Sequence, residues 1–315
     1  MLLAGGAGIP VTVLPGRGHP LYDPLRVLGT AAGVEPPDRY PVAVSVAPGF
    51  VAGAAYAPDA DRQRAAAAVV DALGELAAAR GCRAAAVLHL PATEAPELAA
   101  ALAAAGYRTG VVSAECWLEL AWDSFDGYLA MLPRNRRTSV KREIRAFAEG
   151  GLTTTLDGAE GLTRRTAELH SAWRARYGTG VPVDQLLDQY ARIRAELADR
   201  LRLVRVWRDG EQVAFSLFYV HDGVWYGRAC GFDYDRLHRL EFGYFNTTCY
   251  APLRHALAEG SRRMELSIES YQAKLARGCR LRPLSLALRT DEAGLADLLA
   301  AADARTRARL VELAG

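Results

Sequence analysis

Leu201-Arg-Leu-Val-Arg-Val-Trp-Arg-Asp209-Gly210-Glu-Gln-Val-Ala-Phe-Ser-Leu-Phe-Tyr-Val-His221-Asp222-Gly223-Val-Trp-Tyr-Gly-Arg-Ala-Cys-Gly231 decides the fold. Two Asp-Gly pairs separate three apolar, β-branched and aromatic runs. Both central residues of a tight hairpin need positive φ, which Asp tolerates and Gly adopts freely. The stretch predicts a three-strand antiparallel meander.

Downstream, residues 240–259 place Phe242, Phe245, Cys249, Leu253 and Ala256 on one helical stripe, and Gly260 stands where a left-handed cap would end that helix. Met264 to Ile268 reads as a strand, residues 270–276 as a short helical turn, and residues 284–288 as a last strand. Upstream, helices are expected over 162–177 and 183–199. The sum is a mixed sheet covered on both faces, an α/β class.

This order of elements is similar to that of the GNAT acyltransferases. Within it, Arg228-Ala-Cys-Gly-Phe, Leu240-Glu-Phe-Gly-Tyr-Phe and Lys274-Leu-Ala-Arg277-Gly278 resemble the FemABX-like group of paired-GNAT proteins, which includes peptidoglycan biosynthesis/recognition proteins. The match runs over roughly residues 128–289. The resemblance implies tandem GNAT-like domains and acyl or aminoacyl transfer. The group often has Gly-Ala-Gln-Gly-Glu-His before the lysine and Phe after Arg-Gly. This chain has Ile268-Glu-Ser-Tyr-Gln-Ala273 and Cys279 instead, so the group's substrate does not carry over.

The chain has 315 residues, enough for two modest domains, and a net charge of +2, too weak a field to imply DNA. Its five cysteines are odd in number and lack C-x-x-C spacing, and no charged-then-apolar leader precedes them, which fits a reduced cytoplasmic protein. No apolar run reaches the ~18 residues of a membrane span. No His, Cys and acid pattern has metal spacing, and no nucleophile elbow, P-loop or dinucleotide fingerprint is present, so neither a metal nor a tightly bound cofactor is expected.

In the first half, residues 9–14 read as one strand, 42–56 as two strands around a Pro48-Gly49 turn, and 61–80 as an Ala-rich helix capped near Gly81. Residues 84–90 read as a strand, a helix starts at Thr93, and 111–120 form another strand. Helix-Arg80-Gly81-Cys82-Arg83-strand-helix-Gly106-strand recurs as helix-Glu259-Gly260-Ser261-Arg262-strand-helix-Gly278-strand, an internal repeat of one α/β unit. The expected domains are a scaffold over 1–127, a basic linking helix over 128–150, a catalytic domain over 151–289 and a C-terminal helix over 290–315. The first copy has Ala100 to Ala105 where the second has Lys274, and so offers packing without chemistry.

Between the copies lie six cations in twelve residues, of which Arg134, Arg137, Lys141 and Arg145 recur at helical spacing on one face. Such a face is either solvated or a phosphate contact. A basic helical segment after the first domain is common in the FemABX-like group, so the resemblance favours the phosphate of an acyl donor used as co-substrate: coenzyme A thioester, phosphopantetheinyl carrier protein, or aminoacyl-tRNA. The junction at residues 232–243 lacks the glycine-rich pyrophosphate loop of ordinary GNAT enzymes and carries Asp233 and Asp235 instead.

Amide formation needs a base for the amine, a cradle for the oxyanion and a proton for the leaving group. Gly227 and Gly231 suit a bulge or close backbone approach on the third meander strand. His238 and Glu241 are candidate bases and Tyr244 a candidate proton donor, although for each one singly a structural part is the more common. Tyr226, Arg228, Glu265, Ser267 and Glu269 are candidate substrate contacts, the last three by alternation on one strand face. Arg277 is placed to orient a carboxylate or phosphate. Of 38 basic residues two are lysines, leaving 38 − 2 = 36 arginines, so a lysine at 274 stands against the chain's habit. Within its family-like motif, Lys274 is a candidate oxyanion donor; the plainer reading is a surface ion pair with Glu269. The sequence supports an N-acyltransferase or aminoacyltransferase acting on a small-molecule or peptide amine, with tRNA or a carrier protein as possible partner. A non-catalytic module recognising a peptide or cell-wall precursor fits the same letters.

Overall fold

Asp209 (φ 51°) and Gly210 (φ 78°), and likewise Asp222 (φ 47°) and Gly223 (φ 68°), take the left-handed conformations that the two hairpins require. The computed structural model describes residues 1–47, 49 and 51–314. The chain divides into two units, residues 1–115 with 281–315, and residues 116–280.

In the first unit, β1 (Leu2–Ala4), β2 (Ala7–Ile9), β3 (Val11–Leu14), α1 (Pro24–Ala32), β4 (Val42–Ser45), β5 (Ala55–Tyr56), α2 (Arg62–Ala79), β6 (Ala84–Leu90), α3 (Pro96–Ala104) and β7 (Arg108–Glu119) follow in order. The chain returns to this unit with β13 (Arg280–Thr290) and α11 (Leu295–Ala314). Strands run β3-β4-β6-β13-β7, with β13 antiparallel to β6 from Ser285↔Leu90 to Thr290↔Ala84. Two apolar layers, one around Val69, Leu73 and Leu102 and one around Leu28, Leu88 and Leu299, sandwich the sheet. The ladder to β6 therefore places β13 with the first unit, whereas the sequence reading closed the second domain with it.

In the second unit, α4 (Phe125–Met131), α5 (Arg134–Glu149), β8 (Thr153–Asp157), α6 (Arg164–Arg176), α7 (Val183–Leu197), β9 (Leu201–Arg208), β10 (Glu211–His221) and β11 (Val224–Phe232) lead to α8 (Gly243–Phe245), α9 (Ala251–Ala258), β12 (Arg263–Ile268) and α10 (Tyr271–Leu275). The strand order is β12-β11-β10-β9-β8; β11 and β12 are parallel and the others antiparallel. Leu169, Leu186 and Tyr190 of α6 and α7 cover Leu203, Phe215 and Leu217 on one face. This is the mixed α/β sheet flanked by helices that the meander implied.

The repeat holds in backbone detail. Gly81 and Gly260 end α2 and α9 with the same pair of bonds, Cys82 N to Ala77 O (2.8 Å) with Gly81 N to Ala78 O, and Ser261 N to Ala256 O (2.9 Å) with Gly260 N to Leu257 O. Gly106 and Gly278 close α3 and α10 in the same way. Each copy also has a left-handed residue near the end of the strand that follows this capped helix, His89 (φ 60°) in β6 and Ser267 (φ 64°) in β12.

Three local expectations change. Pro10 separates β2 from β3, because it cannot donate to a ladder. Pro96 at the first turn starts α3 later than Thr93, since the residue before proline avoids helical ψ. The single helix expected over 240–259 is broken. A one-turn 3-10 helix (Arg239–Glu241) stops at left-handed Phe242, and a π turn (Asn246–Tyr250) joins α8 to α9. Pro252, without an N–H, cannot make the bond that would keep the α ladder regular there. Pro48, in the expected turn with Gly49, lies outside the described residues.

His89 is buried with its ring between Ser113 Oγ (3.1 Å from Nδ1) and Leu21 O (2.9 Å from Nε2), and burial lowers its pKa to about 4. Burial lowers that of His170, 3.0 Å from the Tyr190 hydroxyl, to about 4 as well. Between about 4 and the ordinary 6.5 the unfolded chain binds these protons and the folded chain does not, so stability falls as pH falls through that window, by about 3 kcal/mol per group. Urea titrations at stepwise pH should show this acid limb, and His89→Asn, which tolerates the left-handed backbone, should make it shallower.

Candidate active site

β11 and β12 pair only from Val224↔Arg263 to Tyr226↔Glu265; beyond that β11 continues to Phe232 without β12 beside it. Two backbone irregularities accompany the parting. Phe218 pairs with Gly227 and Leu217 with Ala229, so Arg228 is the extra residue of a β-bulge. On β12, Ser267 (φ 64°) turns left-handed, followed by Glu269 (φ 65°) and Ser270 (φ 51°). The glycines on β11 serve close approaches: a Cβ on Gly227 would stand 3.0 Å from Glu265 O, and one on Gly231 2.6 Å from the Leu169 backbone. Parallel strands that separate beside a bulge leave a crevice at their carboxyl ends, the usual place for a ligand in such sheets.

Lys274 holds one wall. Its side chain is 6% exposed, and Nζ donates to Ile268 O (2.9 Å) and Ser267 O (3.3 Å), while its backbone N–H donates to Ser270 O (3.2 Å). Burial lowers its pKa against the opposing influence of Cys116, Cys279, Glu269 and Cys249. The thiols of Cys230 and Cys249 are pushed up to about 12 by burial, so neither is poised as a nucleophile there. Lys274 therefore clamps a strained turn, in place of the surface pair with Glu269. Because Ser267 is left-handed, the strand alternation that would align Ser267 and Glu269 with Glu265 ends at Leu266; Glu265 is 3% exposed, whereas Glu269 is exposed.

Arg277 is 8% exposed and occupied internally. Its Nη2 meets Glu143 Oε2 at 2.7 Å, Nε donates to the Tyr250 hydroxyl at 2.6 Å, Nη1 donates to Ala273 O at 2.7 Å, and the guanidinium stacks 3.2 Å above Phe245. Tyr250 in turn donates to Glu143, and Asn246 Nδ2 donates to Glu143 O (3.2 Å) and Phe242 O (3.0 Å). Arg277 thus fixes α5 to the π turn and does not face a substrate.

His238 and Glu241 form a reciprocal cap. Glu241 Oε2 accepts from His238 N (2.7 Å), His238 Nδ1 accepts from Leu240 N (3.3 Å), and Glu241 also pairs with Arg208. Asp233 accepts from Asp235 N and Arg236 N and pairs with Arg165 at 2.6 Å. The junction is an acid-pinned turn. Tyr244 packs its ring against Phe232 and Phe245, and burial raises its hydroxyl pKa. Tyr226 and Arg228 stand at the parting itself, with the guanidinium 5.3 Å over the ring.

On α5 the buried stripe is Val140, Glu143 and Phe147, and Arg134, Lys141 and Arg145 are directed away from it and exposed. Arg137 differs: it donates to Ala130 O (3.0 Å) and Leu132 O (3.1 Å), tying α4 to α5. In the first unit, Glu115 is buried and paired with Arg282, which also pairs with Glu94. Among the described residues no group of three or more His, Cys, Asp or Glu is placed to hold a metal, and no helix is long and apolar enough to cross a membrane.

Residues 39–310 match the FemAB-like family, described as peptidoglycan biosynthesis/recognition. The chain belongs to this family. No curated protein sequence matches it. Among solved structures, the C-terminal domain of a putative lysylphosphatidylglycerol synthetase from Agrobacterium fabrum is similar at TM-score 0.56 and 14% identity, covering 84% of this chain and 81% of that one. The L-PGS of Bacillus licheniformis is similar at TM-score 0.56 and 12% identity, covering 86% and 82%, and FemX at TM-score 0.51 and 13% identity, covering 79% and 81%. At these identities the likeness of this FemAB-like chain to them is one of fold.

Glu143→Gln should leave the Arg277 charge buried without its counter-ion and lower the unfolding free energy by about 3–5 kcal/mol. Glu143→Leu combined with Arg277→Met should recover most of that loss in the same urea titration. If Glu143→Gln is neutral, the network is not what holds α5.

Proposed function

We propose that this FemAB-like chain moves an acyl or aminoacyl group from a phosphate-bearing activated donor to an amine, with the chemistry in the second unit. The observation that carries the reading is the parting of β11 and β12 after Tyr226↔Glu265, with a bulge at Arg228 on one side and the Lys274-clamped turn on the other. A bulge leaves a strand residue outside the regular ladder, and its amide is suited to meet the oxygen of an acyl group lying in the crevice. Lys274 contributes by holding the opposite wall, which makes it a positioning residue. That the solved structures of similar fold are named FemX and lysylphosphatidylglycerol synthetase is in keeping with aminoacyl transfer. The outward cations of α5 give a phosphate-bearing donor a place to bind.

The test is direct. Purified protein is incubated separately with acyl-CoA, acyl-phosphopantetheinyl carrier protein and aminoacyl-tRNA, each with a mixture of amines, and new amides are sought by mass spectrometry. Product from one donor supports the reading. If no donor gives product and a cell-wall peptide alone raises the melting temperature, the chain is a binding module.

Two variants refine it. Reversing Arg134, Lys141 and Arg145 together should weaken the productive donor and lower the magnitude of its log–log salt slope by about 0.7–0.9 for each phosphate the helix ceases to neutralise, with the far-ultraviolet spectrum unchanged; Arg137 is left alone because it ties α4 to α5. Lys274→Met should reduce turnover about a hundredfold, and adding Ser267→Gly and Glu269→Gly should restore much of it if the lysine acts by holding the left-handed turn. No restoration would return Lys274 to direct oxyanion contact. Because burial lowers the Lys274 pKa, wild-type stability should rise as pH rises from that lowered value towards 10.5, and the Met variant should lack this rise.

A further inference from the structure

Among the described residues of the second unit, the exposed large apolar and tyrosine side chains are Met131, Tyr177, Tyr234, Leu240 and Tyr244, from 41% to 64% exposed. They are not scattered. Tyr244 packs against Phe232 and Phe245, Phe232 also meets Tyr234 at 6.1 Å, and Arg176, next to Tyr177 at the end of α6, lies 4.4 Å over the Tyr234 ring. Leu240 stands on the one-turn helix that the Glu241 cap and Arg208 hold in place. Met131 ends α4, and its methyl group would be 2.7 Å from a Cβ on Gly278, which follows the Arg277 stacked on Phe245.

This apolar ground borders the basic helix. Residues 240–246 run beside α5, with Glu241 against Gly150 at one end and Asn246 bonded to Glu143 O at the other, and Arg142 lies 6.0 Å over Phe242 between them. Arg134, Lys141, Arg142, Arg145 and Arg176 are exposed, and among the described residues none of them is in an ion pair. On α5 and over residues 232–245 the exposed acids among the described residues are Glu149 and Asp235. Cations therefore outnumber carboxylates around the patch.

We propose that this surface docks the second unit on an anionic lipid bilayer, with Leu240, Met131 and the tyrosines entering the headgroup layer and the neighbouring cations meeting lipid phosphates. The proposal goes beyond the acyl-transfer reading and does not depend on it. A bilayer surface offers hydrocarbon below and phosphate at headgroup level, so it suits apolar side chains, amphipathic rings and cations that have no acid of their own. The patch supplies all three. A single-stranded nucleic acid would instead need ring faces open for its bases. Here Arg176 lies on Tyr234, Tyr244 is packed against Phe232 and Phe245, Tyr177 leans on Trp173, and Leu240 and Met131 have no ring. Arg134, Lys141 and Arg145 would meet a donor phosphate or a lipid phosphate through the same contact, so Leu240, Met131 and Arg142 are the residues that tell a bilayer from a donor.

The test sediments the full chain with sucrose-loaded vesicles of phosphatidylcholine alone and of an equal mixture with phosphatidylglycerol. The mixture should be bound about tenfold more tightly or better, and added salt should weaken that binding. Leu240→Asn with Met131→Gln should lower it about tenfold while leaving its salt dependence in place. Arg142→Gln with Arg176→Gln should lower it about twentyfold, near fivefold for each cation, and flatten the salt dependence. Val311→Asn removes an apolar side chain that is 73% exposed in the first unit, and should change nothing. All these positions are exposed, so urea midpoints should stay in place. Sedimentation with neither vesicle, equal binding to both, or wild-type binding by the Leu240→Asn, Met131→Gln protein overturns the proposal. So does a tRNA or an acidic carrier protein that binds through Leu240 and Met131 when vesicles do not, since the patch then belongs to the donor. Vesicle binding by a chain that transfers no acyl group from any donor would sink the transfer reading and leave this one standing.

Discussion

A buried ammonium fixes the geometry of the crevice. Lys274 turns two backbone carbonyls, those of Ser267 and Ile268, inward at the end of β12, and this holds a chain segment in which three of four residues are left-handed without being glycine. Each such residue is held at a cost of about 1–3 kcal/mol, and it persists only where surrounding contacts over-determine it. Strain of this kind, one turn before a buried lysine, keeps β12 from following β11 further. The ladder between β11 and β12 stops there.

A second buried charge fixes what stands around it. Glu143, Arg277, Tyr250 and Phe245 bring together α5, the end of α10 and the π turn, with the carboxylate, guanidinium and phenol bonded to one another and the aromatic ring under the guanidinium. An ion pair taken out of water gains little net stability, but losing one member is expensive, so it gives a single arrangement to the elements it joins. The cations on the far side of α5 inherit that arrangement. Arg137 extends the same order to α4.

Much of the fold was legible. The Asp-Gly pairs named both hairpins, and Gly81, Gly106, Gly260 and Gly278 marked the helix ends whose repetition showed two copies of one unit. The bulge was foreshadowed by Gly227 and Gly231, although the extra residue, Arg228, carries no signal of its own. Less legible was the part played by each charge. His238 and Glu241 read as candidate bases and serve as a cap; Arg277 read as an anion contact and is enclosed; Arg137 shared a stripe with Arg134, Lys141 and Arg145 but serves the backbone. A charge looks the same in the letters whether it faces a ligand or a nearby carbonyl.

Features that depend on neighbours along the chain could be read in its letters: hairpins where two residues must have positive φ, helix ends where a glycine must be left-handed, and the doubling of one α/β unit. Where the ladder between β11 and β12 ends, the pairing of β13 with β6, and the clamp made by Lys274 emerged with the folded chain. These outcomes rest on hydrogen bonds between residues that local spacing does not relate and on burial, which sets whether a charge is solvated, paired or pressed against the backbone.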